Sequence, residues 1–256
     1  MNRQREVQAI YVMWLRQMKR FIRAKSRIVG TIVQPLFFLF ILGFGFNIAT
    51  FPGMTGSYLH FLAPGIVAMA ILFSSMFTGV SVLWDRQFGF LQEVLVAPVS
   101  RLSIVIGRTF GGAAIALLQG FIILVISLAM GVRVVGLGGL LLTILIMVLL
   151  SFTAVGFGLI VASLIKDFEG FQVIMNLILM PLLFLSSAFF PVVDSSSVWL
   201  KTISLANPLF YMIDGIRGSL TGVNNLFSPF FDLALIAIMC VIVMGLGSYF
   251  FSKSEA

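Results

Sequence analysis

The chain has 256 residues, of which 60% are hydrophobic and only 10% charged, and its mean hydropathy is +1.14. A soluble domain carries about 25% charged residues, so this composition excludes a soluble enzyme and indicates an integral membrane protein. The net charge of +7 comes mostly from the first 27 residues, a distribution typical of membrane proteins rather than of nucleic-acid binders. A single cysteine and a single histidine exclude an intrachain disulfide and a His/Cys metal cluster.

A basic arm, residues 1–28, opens the chain. Its apolar residues recur at intervals of one and three, which places them on one face of a helix: Val7, Ile10, Tyr11, Trp14, Leu15, Met18, Phe21 and Ile22. The bases away from that face are Arg16, Lys19, Arg20 and Arg23. This pattern predicts an amphipathic helix in the membrane interface, with Trp14 at headgroup depth and the bases over anionic lipids. The alternative is that the bases only fix the topology.

Six stretches have the length of about 20 mostly apolar residues that a helix needs to cross a bilayer core of about 30 Å. They are Val29 to Ile48, Leu62 to Leu83, Gly107 to Met130, Leu137 to Ile165, Phe171 to Phe190 and Phe230 to Phe251. The connections between them are too short for a soluble domain. Residues 29–252 are therefore interpreted as one six-span transmembrane domain.

Basic residues near the span ends are divided unequally between the two sides of this predicted bundle. Thirteen lie on the side of the arm, and three lie on the opposite side, namely Arg133, Lys201 and Arg217. Because Lys and Arg concentrate in cytoplasmic connections, this predicts a multi-pass protein of the cell membrane with both termini in the cytoplasm. An even number of spans agrees with that topology.

The side chains near the middle of the predicted spans are uncharged. Deep ionisable residues mark proton- or ion-coupled pumps, so this observation weighs against a secondary transporter. Gln34, Gln119 and Asn176 are candidates for the translocation path, although most deep polar residues only form hydrogen bonds between helices. Gly107 and Gly111 have the Gly-x-x-x-Gly spacing that permits close helix approach, and we expect them to pack within the subunit.

The connection between the second and third spans is rich in polar and turn residues, namely Asp85, Arg86, Gly89, Glu93, Pro98, Ser100, Arg101 and Gly107. Leu91, Val94 and Leu95 predict a short amphipathic helix that faces the cytosol and ends at Pro98. On composition alone, an ordinary interfacial connection is the better interpretation.

The long connection before the sixth span is too polar at its start to cross the membrane and too apolar overall for an exposed loop. Apolar residues on both sides of Asn207 and Pro208 predict two short helices that are broken at Pro208 and dip into the outer leaflet. Asp214 and Arg217, three residues apart, are placed to pair on one helix. These residues and Trp199 form either a folded cap over the helix ends or, as the family resemblance described below implies, an external gate or re-entrant helix.

The sequence resembles the ABC type 2 export permeases, in particular their daunorubicin-resistance-like branch of drug and lipid exporters. The resemblance rests on the polar loop, on six spans behind a basic arm, and on a second motif. That motif comprises Phe189-Phe190-Pro191, Trp199-Leu200, Asn207-Pro208-Leu209, Asp214, Arg217 and Gly218. One departure is Ser186-Ser187-Ala188, where a run of small residues containing glycine is expected.

The resemblance implies a membrane subunit that works with a second copy of itself and with two cytosolic ATPase subunits, which bind ATP and Mg. In that family the loop after the second span forms a coupling helix, and the N-terminal helix also lies at the ATPase interface. Side chains implied for this interface are Asp85, Arg86, Gly89, Glu93, Pro98 and Arg101, with Trp14, Arg16, Lys19 and Arg20 on the arm. The chain has no Gly-x-x-x-x-Gly-Lys-Ser/Thr phosphate loop, so we expect ATP to bind another chain and no cofactor in this one.

We therefore expect an all-α membrane protein with six transmembrane helices, an N-terminal interfacial helix, a short coupling helix and external re-entrant half-helices. Its expected function is the transmembrane subunit of an ATP-driven exporter of hydrophobic or amphipathic small molecules, such as drugs or lipids. The alternatives are export of a polysaccharide, glycoconjugate or ion by the same architecture, and a membrane assembly factor without transport activity. An intramembrane hydrolase is disfavoured, because His60 is the only histidine and lies at a span end.

Overall fold

The computed structural model describes residues 3–46, 54, 56–89, 99–165, 167–192 and 197–254. Within these residues the regular secondary structure is helical, which confirms the all-α part of the predicted fold class. The helices are α1 (Arg3–Arg23), α2 (Lys25–Gly45), α3 (Tyr58–Gln87), α4 (Arg101–Ala129), α5 (Leu137–Leu164), α6 (Phe168–Phe184), α7 (Val198–Ala206), α8 (Pro208–Leu220) and α9 (Pro229–Ser254).

Five of these helices are long and apolar enough to cross a membrane, by length and composition: Lys25–Gly45, Tyr58–Gln87, Leu102–Ala129, Leu137–Leu164 and Pro229–Phe251. They coincide with the first four predicted spans and the sixth. The fifth predicted span, Phe171 to Phe190, corresponds to α6, which is apolar but has only 17 residues. Its predicted end is wrong, because the chain leaves the helix after Phe184 and Ser187 has a φ of 59°, which α-helical geometry does not permit.

Helix α3 lies at the centre of the bundle, packed against α2, α4, α5 and α8, and is buried along most of its length. Small residues bring its neighbours close. A Cβ added at Gly79 would lie 2.8 Å from the carbonyl oxygen of Gly158 on α5, and one at Gly112 on α4 would lie 2.5 Å from Oγ1 of Thr78. Such close contacts stabilise membrane bundles, because lipid provides no hydrophobic drive for helix association.

Helix α1 packs along α4 rather than lying in the interface on its own. A Cβ at Gly107 would lie 2.7 Å from Cβ of Met13, and a Cβ at Gly111 would lie 2.7 Å from Cβ of Gln17. The Gly-x-x-x-Gly pair thus packs within the subunit, as predicted. Met13 and Gln17 are buried in this contact. The arm keeps a second, exposed apolar side formed by Val7, Tyr11, Val12 and Ile22.

Helices α7 and α8 meet at Asn207 and Pro208, where the break was predicted. Asn207 caps α8: its Oδ1 accepts the N–H of Leu209 at 2.9 Å, and its Nδ2 donates to the carbonyl oxygen of Leu182 at 2.7 Å. Pro208 occupies the first helical position, where a missing N–H costs nothing. Helix α8 is buried against α3, α5 and α9, whereas Trp199 on α7 is exposed.

Candidate coupling site and membrane groove

Asp85, near the end of α3, is buried among three arginines from two other helices. Arg16 donates two hydrogen bonds to its carboxylate, from Nη1 to Oδ2 at 3.0 Å and from Nη2 to Oδ1 at 2.7 Å. Arg20 donates to Oδ1 at 3.3 Å, and Nη2 of Arg108 on α4 lies 2.8 Å from Oδ2. Asp85 is 4% exposed and Arg108 is fully buried, so this ion pair is largely shielded from water.

A second contact attaches the arm to the start of α4. The carboxylate of Glu6 accepts hydrogen bonds from the N–H of Ser100 at 3.1 Å, from its hydroxyl at 2.7 Å, and from the hydroxyl of Ser103. Ser100 is also the N-cap residue of α4, since its Oγ accepts the N–H of Ser103. The hydrogen bonds from Ser103 and Ser100 lower the pKa of Glu6 below its ordinary value.

These two contacts lie on either side of residues 90–98 in the chain. We call the seven residues concerned the arm clamp: Glu6, Arg16, Arg20, Asp85, Ser100, Ser103 and Arg108. Asp85 precedes the segment and Ser100 follows it, and α1 binds both. The arm is therefore joined to the end of α3 and to the start of α4.

The described residues of the loop that were predicted to face the ATPase do not lie together in one site. Asp85 has three arginine partners within this chain, and its predicted contact with another subunit stays a prediction. Arg86 lines a depression of about 550 Å³ together with Asp167 and Glu169. Gly89 follows α3 with a φ of 75°, a conformation that glycine adopts at low cost after a helix. The residues 93 and 98, and the side chain at position 101, lie outside the described part of the chain.

Two of the four predicted interface residues of the arm, Arg16 and Arg20, belong to the arm clamp. Lys19 is exposed, and Trp14 is partly buried, with its ring stacked on that of Tyr11 at a centroid distance of 6.0 Å. The bases of α1 line a groove of about 600 Å³ on the arm. The arm therefore uses its basic residues within the protein as well as toward the surroundings.

A larger groove, of about 650 Å³, lies between α2, α3 and α6. We call it the membrane groove. Its polar lining comes from α2 and α6 and comprises Ser26, Arg27, Thr31, Gln34, Gln172 and Asn176, while α3 contributes Phe73, Met76, Phe77, Val80 and Trp84. Two of the predicted path residues, Gln34 and Asn176, are thus brought together. The third, Gln119, lies behind the lining, where its Nε2 donates to Oγ1 of Thr31 at 2.6 Å.

Trp84 connects the membrane groove to the arm clamp. Its ring stacks on that of Phe168 at a centroid distance of 6.0 Å, and the guanidinium of Arg20 lies 5.1 Å from the ring centroid. Trp84 lines the groove, while Asp85, the next residue, is the centre of the clamp. No sequence pattern pointed to Trp84, Glu6 or Arg108, because their partners are distant in the chain.

Asp214 and Arg217, predicted as a pair, approach to 4.0 Å but have closer partners. Arg217 is fully buried and donates to the carbonyl oxygen of Ser187 at 2.7 Å and to its hydroxyl at 3.2 Å. Asp214 accepts the N–H groups of Leu226 and Phe227, each at 2.9 Å. These two residues therefore fasten the turn after α6 and the connection between α8 and α9 onto α8.

A bundle of apolar helices, with a docked basic arm and a groove between three helices, is typical of a multi-pass membrane protein. The profile of the family described as ABC-2 type transporter matches residues 8–221. The chain belongs to this family, whose members include transport permeases.

Individual relatives agree with this assignment. The chain is 30% identical over 236 residues to a protein of Cyanophora paradoxa named as the transport permease ycf38, which covers 91% of this chain and 81% of the relative. It is 28% identical over 223 residues to the inner membrane transport permease YadH of Escherichia coli K12, covering 85% and 84%. A third relative, named as the multidrug ABC transporter permease YbhR of the same organism, is 30% identical over 158 residues, covering 61% and 42%.

Proposed function

We propose that this chain is the membrane subunit of an ATP-driven exporter, working with a second copy of itself and with two cytosolic ATPase subunits. ABC-2 permeases generally pair with an ABC ATPase. ATP and Mg bind that partner, whose nucleotide-driven movement is the energy source. The observation that carries the proposal is the arm clamp, because it joins α1 to Asp85 and to Ser100, which lie on either side of residues 90–98.

In this proposal the ATPase contacts Arg86, Gly89, Glu93, Pro98 and Arg101, and the exposed bases of the arm. Asp85 belongs to the arm clamp in this proposal. It holds Arg16 and Arg20, so that the arm moves together with α3. Trp84 then passes the movement to the wall of the membrane groove, since its ring contacts both Arg20 and Phe168.

The proposed cargo is a hydrophobic or amphipathic small molecule that enters the membrane groove. A volume of about 650 Å³ suits a drug-sized or lipid-like ligand, and the mixed lining of amides and aromatic rings suits an amphiphile.

In the proposed topology both termini lie in the cytoplasm. Helix α6, with the turn that follows it, completes a sixth crossing, and α7 and α8 form the external gate. Trp199, Asn207, Pro208, Asp214 and Arg217 belong to this gate.

The test is to express the chain with the ATPase encoded beside it and to purify the complex through a tag on the permease. We expect two copies of each subunit and ATP hydrolysis that rises with hydrophobic compounds. Recovery of the permease alone in mild detergent would contradict the proposal. A complex whose hydrolysis ignores every amphiphile, drug and lipid tested would contradict the cargo class.

A further inference from the structure

The membrane groove carries a cationic side chain close to one end of α2. Arg27 lies along the groove, and its guanidinium carbon is 4.4 Å from the centroid of the Phe77 ring. Its Nε is buried and has no hydrogen-bond partner among the described residues. A guanidinium has five N–H donors and no acceptor, so Arg27 can still donate to an anionic ligand in the groove.

Positive charge prevails around this side chain. Arg20 is near enough to repel Arg27 electrostatically. The carboxylate of Asp85 is shared between Arg16, Arg20 and Arg108, so a single negative charge faces three positive ones there. At Arg27 the nearby charge of Arg20 therefore favours an anion over a cation. The acidic side chains of Asp167 and Glu169 line the separate depression on the other side of Trp84 and Phe168.

The remainder of the groove is uncharged and divided by side. Gln34, Gln172 and Asn176 supply amides from α2 and α6, while Phe73 and Phe77 supply aromatic surface from α3. An apolar chain can lie along the aromatic side without burying an unpaired charge.

We infer that the membrane groove binds an amphipathic molecule whose anionic head pairs with Arg27 and whose apolar part lies along α3. The inference rests on the proposed function and adds the charge of the cargo to it. A cationic amphiphile meets like charge at Arg27 and Arg20, whereas a phosphate or carboxylate head gains charge-assisted hydrogen bonds.

The binding test uses the whole permease in phosphatidylcholine nanodiscs. Trp14→Phe and Trp199→Phe leave Trp84, which lines the groove, as the only tryptophan, and its fluorescence is measured. Brominated phosphatidic acid and brominated phosphatidylcholine are compared as quenchers. We expect the apparent affinity for the anionic probe to be about fivefold higher. Arg27→Gln should remove this difference, while Lys25→Gln, which removes an exposed charge two positions away, should preserve it. Equal quenching by both probes, or equal losses in the two variants, would overturn the inference.

The transport test uses the permease–ATPase complex, with dodecyl phosphate and dodecyltrimethylammonium as matched amphiphiles. Stimulation at about fivefold lower concentration by the phosphate, lost in Arg27→Gln, supports an anionic cargo. If the phosphatidic acid probe binds through Arg27 but hydrolysis does not respond, the ligand is a resident lipid, and the cargo assignment fails. If both amphiphiles stimulate equally, the inference fails while the proposed exporter stands. If no ATPase joins the permease, the proposed function itself fails, whatever the binding test shows.

Discussion

At the scale of single residues, Asp85 and Arg217 are buried ionised groups whose partners come from other parts of the chain. Asp85 receives arginines from α1 and α4, and Arg217 attaches the turn after α6 to α8. Such groups are expensive to bury, and removing one partner costs far more than the pair contributes. Their substitution therefore tests the architecture directly.

Replacing Asp85 by Asn should lower the free energy of unfolding by about 3 kcal/mol, because Arg108 is fully buried and loses its charged partner. The contribution of Arg16 and Arg20 is smaller, since both are about one-third exposed and screened by water. Equilibrium unfolding in mixed micelles measures the change. Lys19→Gln, on the exposed side of the same arm, serves as the control and should be neutral. Equal stability of the two variants would contradict the assignment.

Ser187 has a φ of 59°, where glycine is favoured, so glycine and a β-branched residue should differ there. Ser187→Gly relieves about 1 kcal/mol of strain and loses one hydrogen bond to Arg217, and its stability should stay within about 1 kcal/mol of the parent. Ser187→Val should cost about 2 kcal/mol or more. Thermal unfolding of the detergent-solubilised protein compares them. A valine variant as stable as the glycine variant would show that this backbone conformation is not required.

At the scale of elements, the arm is the part whose role differs most from that of an ordinary interfacial helix. It packs on α4 through Gly107 and Gly111, and it is fixed at one end by Glu6 and further along by Arg16 and Arg20. Its exposed apolar side still suits contact with lipid. The arm thus links the membrane surface to the central helix of the bundle.

The start of the arm should detach from α4 at acidic pH. The pKa of Glu6 is lowered in the folded protein by hydrogen bonds from Ser103 and Ser100, so its contribution is complete above the unfolded pKa of about 4.3. That contribution is lost as the pH falls through the lower, folded pKa. A spin label is attached at Gln8→Cys in a Cys240→Ser background. It should become more mobile as the pH falls through the folded pKa of Glu6, and only when Glu6 is present.

The matched variant is Glu6→Gln, which keeps the shape of the side chain but does not titrate. Its label should be mobile already at neutral pH and should change little on acidification. If both proteins show the same acid transition, the change arises elsewhere in the molecule, and Glu6 does not control the attachment of the arm.

At the scale of the whole molecule, the arm clamp and the membrane groove meet at Trp84, so events at one end of the bundle can reach the groove. Helices α2 and α6 form the other walls of that groove, and both expose broad apolar surfaces. A lipid environment or a second copy can cover these surfaces.

Trp84→Ala should uncouple the proposed exporter, whereas Trp84→Phe should not. Alanine removes both the stack on Phe168 and the contact with Arg20, and we expect cargo-stimulated ATP hydrolysis to fall about tenfold. Phenylalanine retains an aromatic face and should keep most of the stimulation. Basal hydrolysis and complex yield are measured alongside. Full stimulation in the alanine variant would exclude Trp84 as the connection.

The sequence was sufficient for features that depend on local pattern. The periodicity of the arm, five apolar membrane helices and the break at Pro208 were predicted, because each depends on neighbouring residues. The pairs Arg16–Asp85 and Glu6–Ser100 were not predicted. Their residues lie 69 and 94 positions apart, and a single sequence carries no signal for such pairs. The end of α6 was misplaced because apolar residues continue beyond the turn at Ser187.

The distances along the chain within the arm clamp also order the biogenesis of the protein. The arm is synthesised first, but its carboxylate partner is made 69 residues later and its serine partner 94 residues after Glu6. The contacts of the arm can therefore form only after α2 and α3 have been synthesised. In the proposed topology with both termini in the cytoplasm, the arginines of the arm act during that interval as an orientation signal for the translocation machinery. Arg16 and Arg20 then bind Asp85, so in this proposal the residues that select the orientation also stabilise the folded protein.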